Sequence, residues 1–133
     1  MIFLNMEKQF WYFILAALAI KEEEIIKAGY QIIAVSPDSY ENLQPMMEKN
    51  EIKYQLFSDA EGSLTKQAGL AYNLSPERIE KLGSRTLGKA PEILPVPSVL
   101  VVNAEAEILF EYINPNYRNR ISPELLMAVL NNL

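Results

Sequence analysis

The 133-residue chain contains no cysteine and no histidine. Those absences remove thiolate nucleophiles, disulfides, imidazole bases and the usual zinc ligand sets. Any catalysis by this chain is left to carboxylates, Lys, Tyr, Ser or backbone groups. Positive charge is also in short supply: 12 basic against 17 acidic residues give a net charge of −5. Such a chain has no electrostatic footprint for a phosphate backbone, so nucleic acid is not an expected partner. No glycine-rich phosphate cradle, metal-ligand spacing or Ser/His/Asp constellation is present, so neither a metal nor a cofactor is expected. Internal repeats, low-complexity tracts and linkers are absent too. Half of the residues are apolar, enough for one core, and residues 1–133 read as a single domain.

The longest apolar run, Phe10 to Ile20, supports two readings. Lys8 ahead of it and Ala17-Leu18-Ala19 within it imitate a signal peptide with its cleavage site. The run is too short to cross a bilayer, however, and flows into Lys21-Glu22-Glu23-Glu24-Ile25-Ile26-Lys27-Ala28-Gly29, the charged half of the same helix. Cleavage after Ala19 would cut a core element in two. The run is therefore read as structure, with no membrane partner and a cytoplasmic location. Glu22, Glu23 and Glu24 are consecutive, so they fan around the helix and cannot face each other as an acid and base pair.

The spacing of Leu15, Leu18, Ile25 and Ile26 predicts a helix from about Leu15 to Ala28, with Gly29 as its left-handed stop. Tyr30 to Val35 is a β-branched run closed by the turn cluster Ser36-Pro37-Asp38-Ser39, and reads as a buried strand. A helix follows that starts near Ser39 or near Pro45, or kinks at Pro45. Tyr54 to Phe57 is a second strand, Ser63 to Ala68 a short helix stopped by Gly69, and Ser75-Pro76-Glu77 the start of a helix that Gly83 ends. A loop with few apolar anchors runs to Ile93. Val99 to Val102 and Ile108 to Tyr112 flank Asn103-Ala104-Glu105-Ala106, the pattern of an antiparallel hairpin. Ser122-Pro123-Glu124 starts the last helix. Strands alternating with helices, closed by a hairpin and helix, describe an α/β protein with a central mixed sheet covered by helices.

Three stretches carry a family likeness: Ile33-Ala34-Val35-Ser36-Pro37-Asp38, Phe57-Ser58-Asp59-Ala60-Glu61-Gly62, and Leu94-Pro95-Val96-Pro97-Ser98 leading into Val99 to Val102. With Asn114-Pro115-Asn116-Tyr117-Arg118-Asn119-Arg120 before the last helix, their order resembles the AhpC/TSA peroxiredoxin-like family. The resemblance implies a thioredoxin-like fold and a thiol-dependent reduction of peroxides or disulfides, with a thiol reductant as partner. Exposed aromatics hint at association, with a homodimer as the expectation. Relatives place the peroxidatic cysteine on a loop between the first core strand and its helix. That chemistry needs a thiolate, because a neutral thiol is a poor nucleophile.

The chain departs from the pattern at that loop. Gln9 to Phe13 resembles the family strand and Leu15 to Leu18 the first turns of the family helix, so the cysteine is expected between Phe13 and Leu15, where there is no room for it. A strand and its following helix need about two to six connecting residues, yet Phe10 to Ile20 holds no Gly, Pro, Asn, Asp or Ser. Three explanations stand: the loop is absent from these residues but present in a complete form, the protein has no such loop, or Phe10 to Ala28 is one continuous helix. No catalytic residue is assigned.

The candidate substrate-binding residues are Val96, Pro97, Trp11 and Tyr12. The resemblance implies a cis Val96–Pro97 bond, which would turn the Val96 backbone groups outward toward an extended segment. Trp11 and Tyr12, followed by Phe13, are candidate pocket walls, although an aromatic run is more often core. Tyr117, Arg118 and Arg120 read as solvated surface. A catalytically inactive thioredoxin-like binding domain is the second reading of the chain.

Overall fold

The computed structural model describes residues 2–3, 8–83, 92–116 and 118–133, with backbone alone for 2–3, 8–16 and 82–83. Helix α1 spans Lys8–Lys27 without interruption, so the third explanation above describes the chain. Gln9 to Phe13 is helix and not strand. The physical reason lies in the same absence of breakers: nothing between Phe10 and Ile20 offers a turn, and each added residue propagates a nucleated helix at little cost. Its end is as the sequence predicts. Gly29 adopts φ +90, its amide donates to the Ile26 carbonyl at 2.9 Å, and the Tyr30 amide donates to the Ile25 carbonyl at 3.1 Å. This pair of bonds is a Schellman stop, satisfying carbonyls that a helix end would otherwise leave open.

A strand does precede the helix, but it is short and lies earlier than Gln9. It is β1, Ile2–Phe3, which pairs in parallel with β2, Ile33–Ser36, and antiparallel with β6, Ser98–Val102. With β3, Gln55–Ser58, and β7, Ile108–Ile113, these make a five-stranded sheet in the order β3-β2-β1-β6-β7. Helix α2 spans Tyr40–Lys49 and passes through Pro45, so it starts beyond Ser39 and not at the proline. Helix α3, Ser63–Gln67, ends at Gly69 with φ +69. Strands β4, Ala71–Asn73, and β5, Ile93–Pro95, form a separate two-stranded sheet around α4, Pro76–Gly83. Neither strand is assigned from the sequence; proline cannot donate to a ladder, yet a two-stranded pairing needs only one side of each strand. The last helix, α5, Pro123–Leu130, is capped by Ser122, whose Oγ accepts from the Leu125 amide at 3.1 Å.

The main core lies on one face of the sheet. Leu18 and Ile25 of α1, Leu43 and Met46 of α2, and Leu126 and Leu130 of α5 close over Ala34, Leu56, Val99 and Val101. The opposite face is thinner, with Val35 and Leu70 as a small cluster against which Leu100 packs. Phe57, in register with Val35, is 52% exposed there. The sheet is thus flanked by helices as expected, but unequally on its two sides.

Candidate functional site

In open sheets with parallel strands, sites form beyond the strands' carboxyl ends. Here β1, β2 and β3 run parallel, and that pole gathers the family-like stretches. Ser36 ends β2 and is fully buried. Its Oγ accepts from the Asp38 amide at 3.0 Å, and its carbonyl accepts from the Asp59 amide at 2.6 Å. Ser58 ends β3 and donates its hydroxyl to the Asp38 carbonyl at 2.6 Å. The two turns after β2 and β3 are therefore tied to each other.

Asp59 is the centre of this node, and sequence reasoning gives it no role beyond a turn. Its carboxylate accepts from the Leu64 amide at 3.0 Å, the Thr65 amide at 2.8 Å and the Thr65 hydroxyl at 2.6 Å. It does for α3 what an N-cap side chain does, at the helix end where negative charge is favoured. Thr65 is only 2% exposed. Gly62, at φ +68, lets the chain turn tightly enough to bring the carboxylate over those amides. The signal available in sequence was the aspartate, glycine, then a threonine three further on.

Val96 and Pro97 reach the same pole from the other direction. Pro97 immediately precedes Ser98, which is in register with Phe3 at the end of β1, so this segment lies beside the end of β1. The expected cis bond is not found: no cis peptide occurs among the described residues, and Val96–Pro97 is trans. Nor do the Val96 backbone groups face outward. The Val96 amide donates to the Leu70 carbonyl at 2.7 Å, and the Val96 carbonyl accepts from the Ser98 hydroxyl at 2.8 Å. The Pro97 carbonyl accepts from the Asn114 amide at 3.1 Å. Pro97 is buried and Val96 half-buried, leaving the Val96 side chain as the part of this pair that reaches solvent.

Trp11 and Tyr12 lie in the first turns of α1, and so at the end of the helix that follows β1; their side chains lie outside the described residues, as does Tyr117. The position expected for a nucleophile, between Phe13 and Leu15, is interior helix. Between β1 and α1 the sequence runs Leu4-Asn5-Met6-Glu7, with no thiol. No group of three or more potential metal ligands occurs among the described residues. The hydroxyls and carboxylate of the node are committed to holding turns, and they provide no facing acid and base.

A group with a shifted titration sits elsewhere, just ahead of β3. Tyr54 is 5% exposed. Burial pushes its phenol well above the ordinary value, and the negative charge of Glu22 adds to the shift.

Comparison with known proteins agrees with this geometry. The model of the AhpC/TSA family matches residues 14–110, beginning inside α1. A peroxidoxin, BcpB of Mycobacterium tuberculosis, superposes with TM-score 0.68 at 16% identity, covering 99% of this chain and 78% of its own. AhpC of Enterococcus faecalis gives TM-score 0.68 at 18% identity, covering 96% and 71%. Reduced Prx3 of Vibrio vulnificus, solved in complex with hydrogen peroxide, gives TM-score 0.65 at 13% identity, covering 87% and 66%, so the chain spans just under two thirds of that relative's length. No curated protein matches the sequence. The family match extends over more than half of the chain, the fold is that of the peroxiredoxin structures, and the chain belongs to the AhpC/TSA family.

Proposed function

We propose that these 133 residues form a thioredoxin-like binding domain of the AhpC/TSA family that does not itself turn over peroxide. The observation that carries this reading is the absence of any cysteine, in residues 4–7 between β1 and α1 as everywhere else. The family's redox cycle runs through a thiolate that becomes a sulfenic acid and is resolved by a second thiol. No hydroxyl or carboxylate of the node can replace that sulfur. A partner would meet the domain beside Val96 and Pro97 through side chains, since the backbone there is already bonded. The cytoplasmic location is supported by α1 running through Phe10 to Ile20 as one structural helix, and no helix among the described residues is long and apolar enough to cross a membrane.

The homodimer belongs to the same proposal. Strand β7 is an edge of the five-stranded sheet, and Ile108, Leu109 and Ile113 on it are 56%, 42% and 43% exposed. An apolar edge without proline or lysine is a template for pairing with another strand. Sedimentation velocity tests it: the wild type sediments as a dimer and Leu109→Lys as a monomer. A wild-type monomer at all concentrations would reject the dimer.

Family membership favours a second reading, in which a complete form bearing the cysteine loop reduces peroxides or disulfides at the expense of a thiol reductant. The full open reading frame separates the two. A cysteine-bearing segment beside β1 supports the enzyme, and its absence supports the binding domain.

A further inference from the structure

We propose that two copies of the chain pair antiparallel along β7 with the two-fold axis at Tyr112, and that Glu111 fixes this register. The inference rests on the homodimer reading above and adds what that reading lacks, the alignment of the two edges.

The backbone decides which residues can bond outward. In an antiparallel ladder, pairs that exchange hydrogen bonds alternate with pairs that do not. The Asn114 amide donates to the Pro97 carbonyl at 3.1 Å, so the next pair, Ser98 with Ile113, is a non-bonded one, and so is Leu100 with Glu111. The amides and carbonyls of Glu111 and Ile113 therefore point away from β6, to the side of β7 on which no strand lies among the described residues. Phe110 and Tyr112 direct theirs to Val101 and Val99. Toward Ile108 the ladder shifts register between Val101 and Val102. Past Asn114 stands Pro115, which has no amide to give. The usable edge is thus Glu111 to Ile113, both of them exposed.

Three alignments of two such edges bring outward groups together. A two-fold at Ile113 would set Glu111 against the partner's Pro115, which cannot donate. A two-fold at Glu111 places the two carboxylates directly opposite each other, with Cα atoms about 5.5 Å apart, and like charges there are destabilising. A two-fold at Tyr112 faces Glu111 of each copy with Ile113 of the other. Both residues then exchange both of their backbone bonds, about four in all, and no charge meets its like. The same alignment sets Tyr112 opposite its copy as a narrow non-bonded pair, a position in which aromatic pairs stabilise.

The chain contains no cysteine, so an introduced one reports the register without background. Under mild oxidation Tyr112→Cys should link to its copy, since residues on the axis lie about 4.5 Å apart. Ile113→Cys should link at least about tenfold more slowly, because the two copies of that position stand about 8 Å apart, beyond bridging distance. Adding Glu111→Gln to Tyr112→Cys should slow linking about twofold or more by admitting the competing register. In the wild type, which does not depend on the folding of a variant, dilution should speed amide exchange at Glu111 and Ile113 and leave Phe110 and Tyr112 unchanged. A dimer in which Ile113→Cys links as fast as Tyr112→Cys, in which Glu111→Gln changes nothing, or in which exchange at Glu111 and Ile113 ignores dilution overturns the register. A chain that sediments as a monomer at every concentration rejects the homodimer itself, so the two failures are distinct.

Discussion

The turns after β2 and β3 contrast with the stretch of sequence between β1 and α1. Around the first two, a buried carboxylate, three hydroxyls and several amides are bonded to one another, and the residues are those of the family. Between β1 and α1 the sequence holds Leu4-Asn5-Met6-Glu7, and α1 begins with residues that the family model does not match. The turns around Asp59 are held by their own hydrogen bonding, in a chain that contains no cysteine. Stability and chemistry are separable here because Asp59 and Thr65 secure α3 without reference to the redox position.

The largest effect expected from breaking this scaffold is at its centre. Asp59→Ala removes three hydrogen bonds and leaves the buried Thr65 amide and hydroxyl without their acceptor, which should destabilise the fold by about 2–3 kcal/mol in urea denaturation. If the change is neutral, the node is not what holds this pole. Gly62→Ala comes next, at about 1–2 kcal/mol: the new Cβ would meet Ile93 Cδ1 at 2.5 Å at a left-handed φ of +68. The far end of the Ile93 side chain can yield, which keeps the cost below that of a backbone clash.

Tyr54 sharpens the contrast from the core side. Its phenol is held above the ordinary 10.0 in the fold, so above that pH the unfolded chain releases a proton that the folded chain retains. The stabilisation is therefore fully present below the unfolded value and is lost as pH rises beyond it, at up to about 1.4 kcal/mol per pH unit. Thermal melts from pH 9 to 11 should show Tyr54→Phe with a shallower decline than wild type; parallel declines would remove Tyr54 as the cause. The smallest effect is a gain. Ala106 occupies φ +64 in the β6–β7 turn, so Ala106→Gly should stabilise by about 0.5–1 kcal/mol.

What was legible in the sequence follows from how local each signal is. Gly29, Gly69 and the Ser122-Pro123-Glu124 start act within one turn of chain, and each does what its residues predict. The hairpin at Asn103 to Ala106 is equally local, down to the alanine standing where a glycine is favoured. Strand β1 was not legible, because two residues carry no periodicity, and its place is set by pairing with strands distant in sequence. The helical start of α1 was hidden by a family likeness that assigned Gln9 to Phe13 to a strand, against a local composition with no turn in it. Val96 and Pro97 read from the sequence as substrate contacts, whereas their backbone bonding depends on Leu70, Ser98 and Asn114 and has no sequence signature.

The central claim is that this member of the AhpC/TSA family keeps the architecture without the thiol chemistry. It is tested most directly by following hydrogen peroxide consumption by the purified chain with dithiothreitol as reductant and a chelator present. The account predicts a rate equal to that of buffer at every protein concentration. A saturable rate that scales with protein would contradict it.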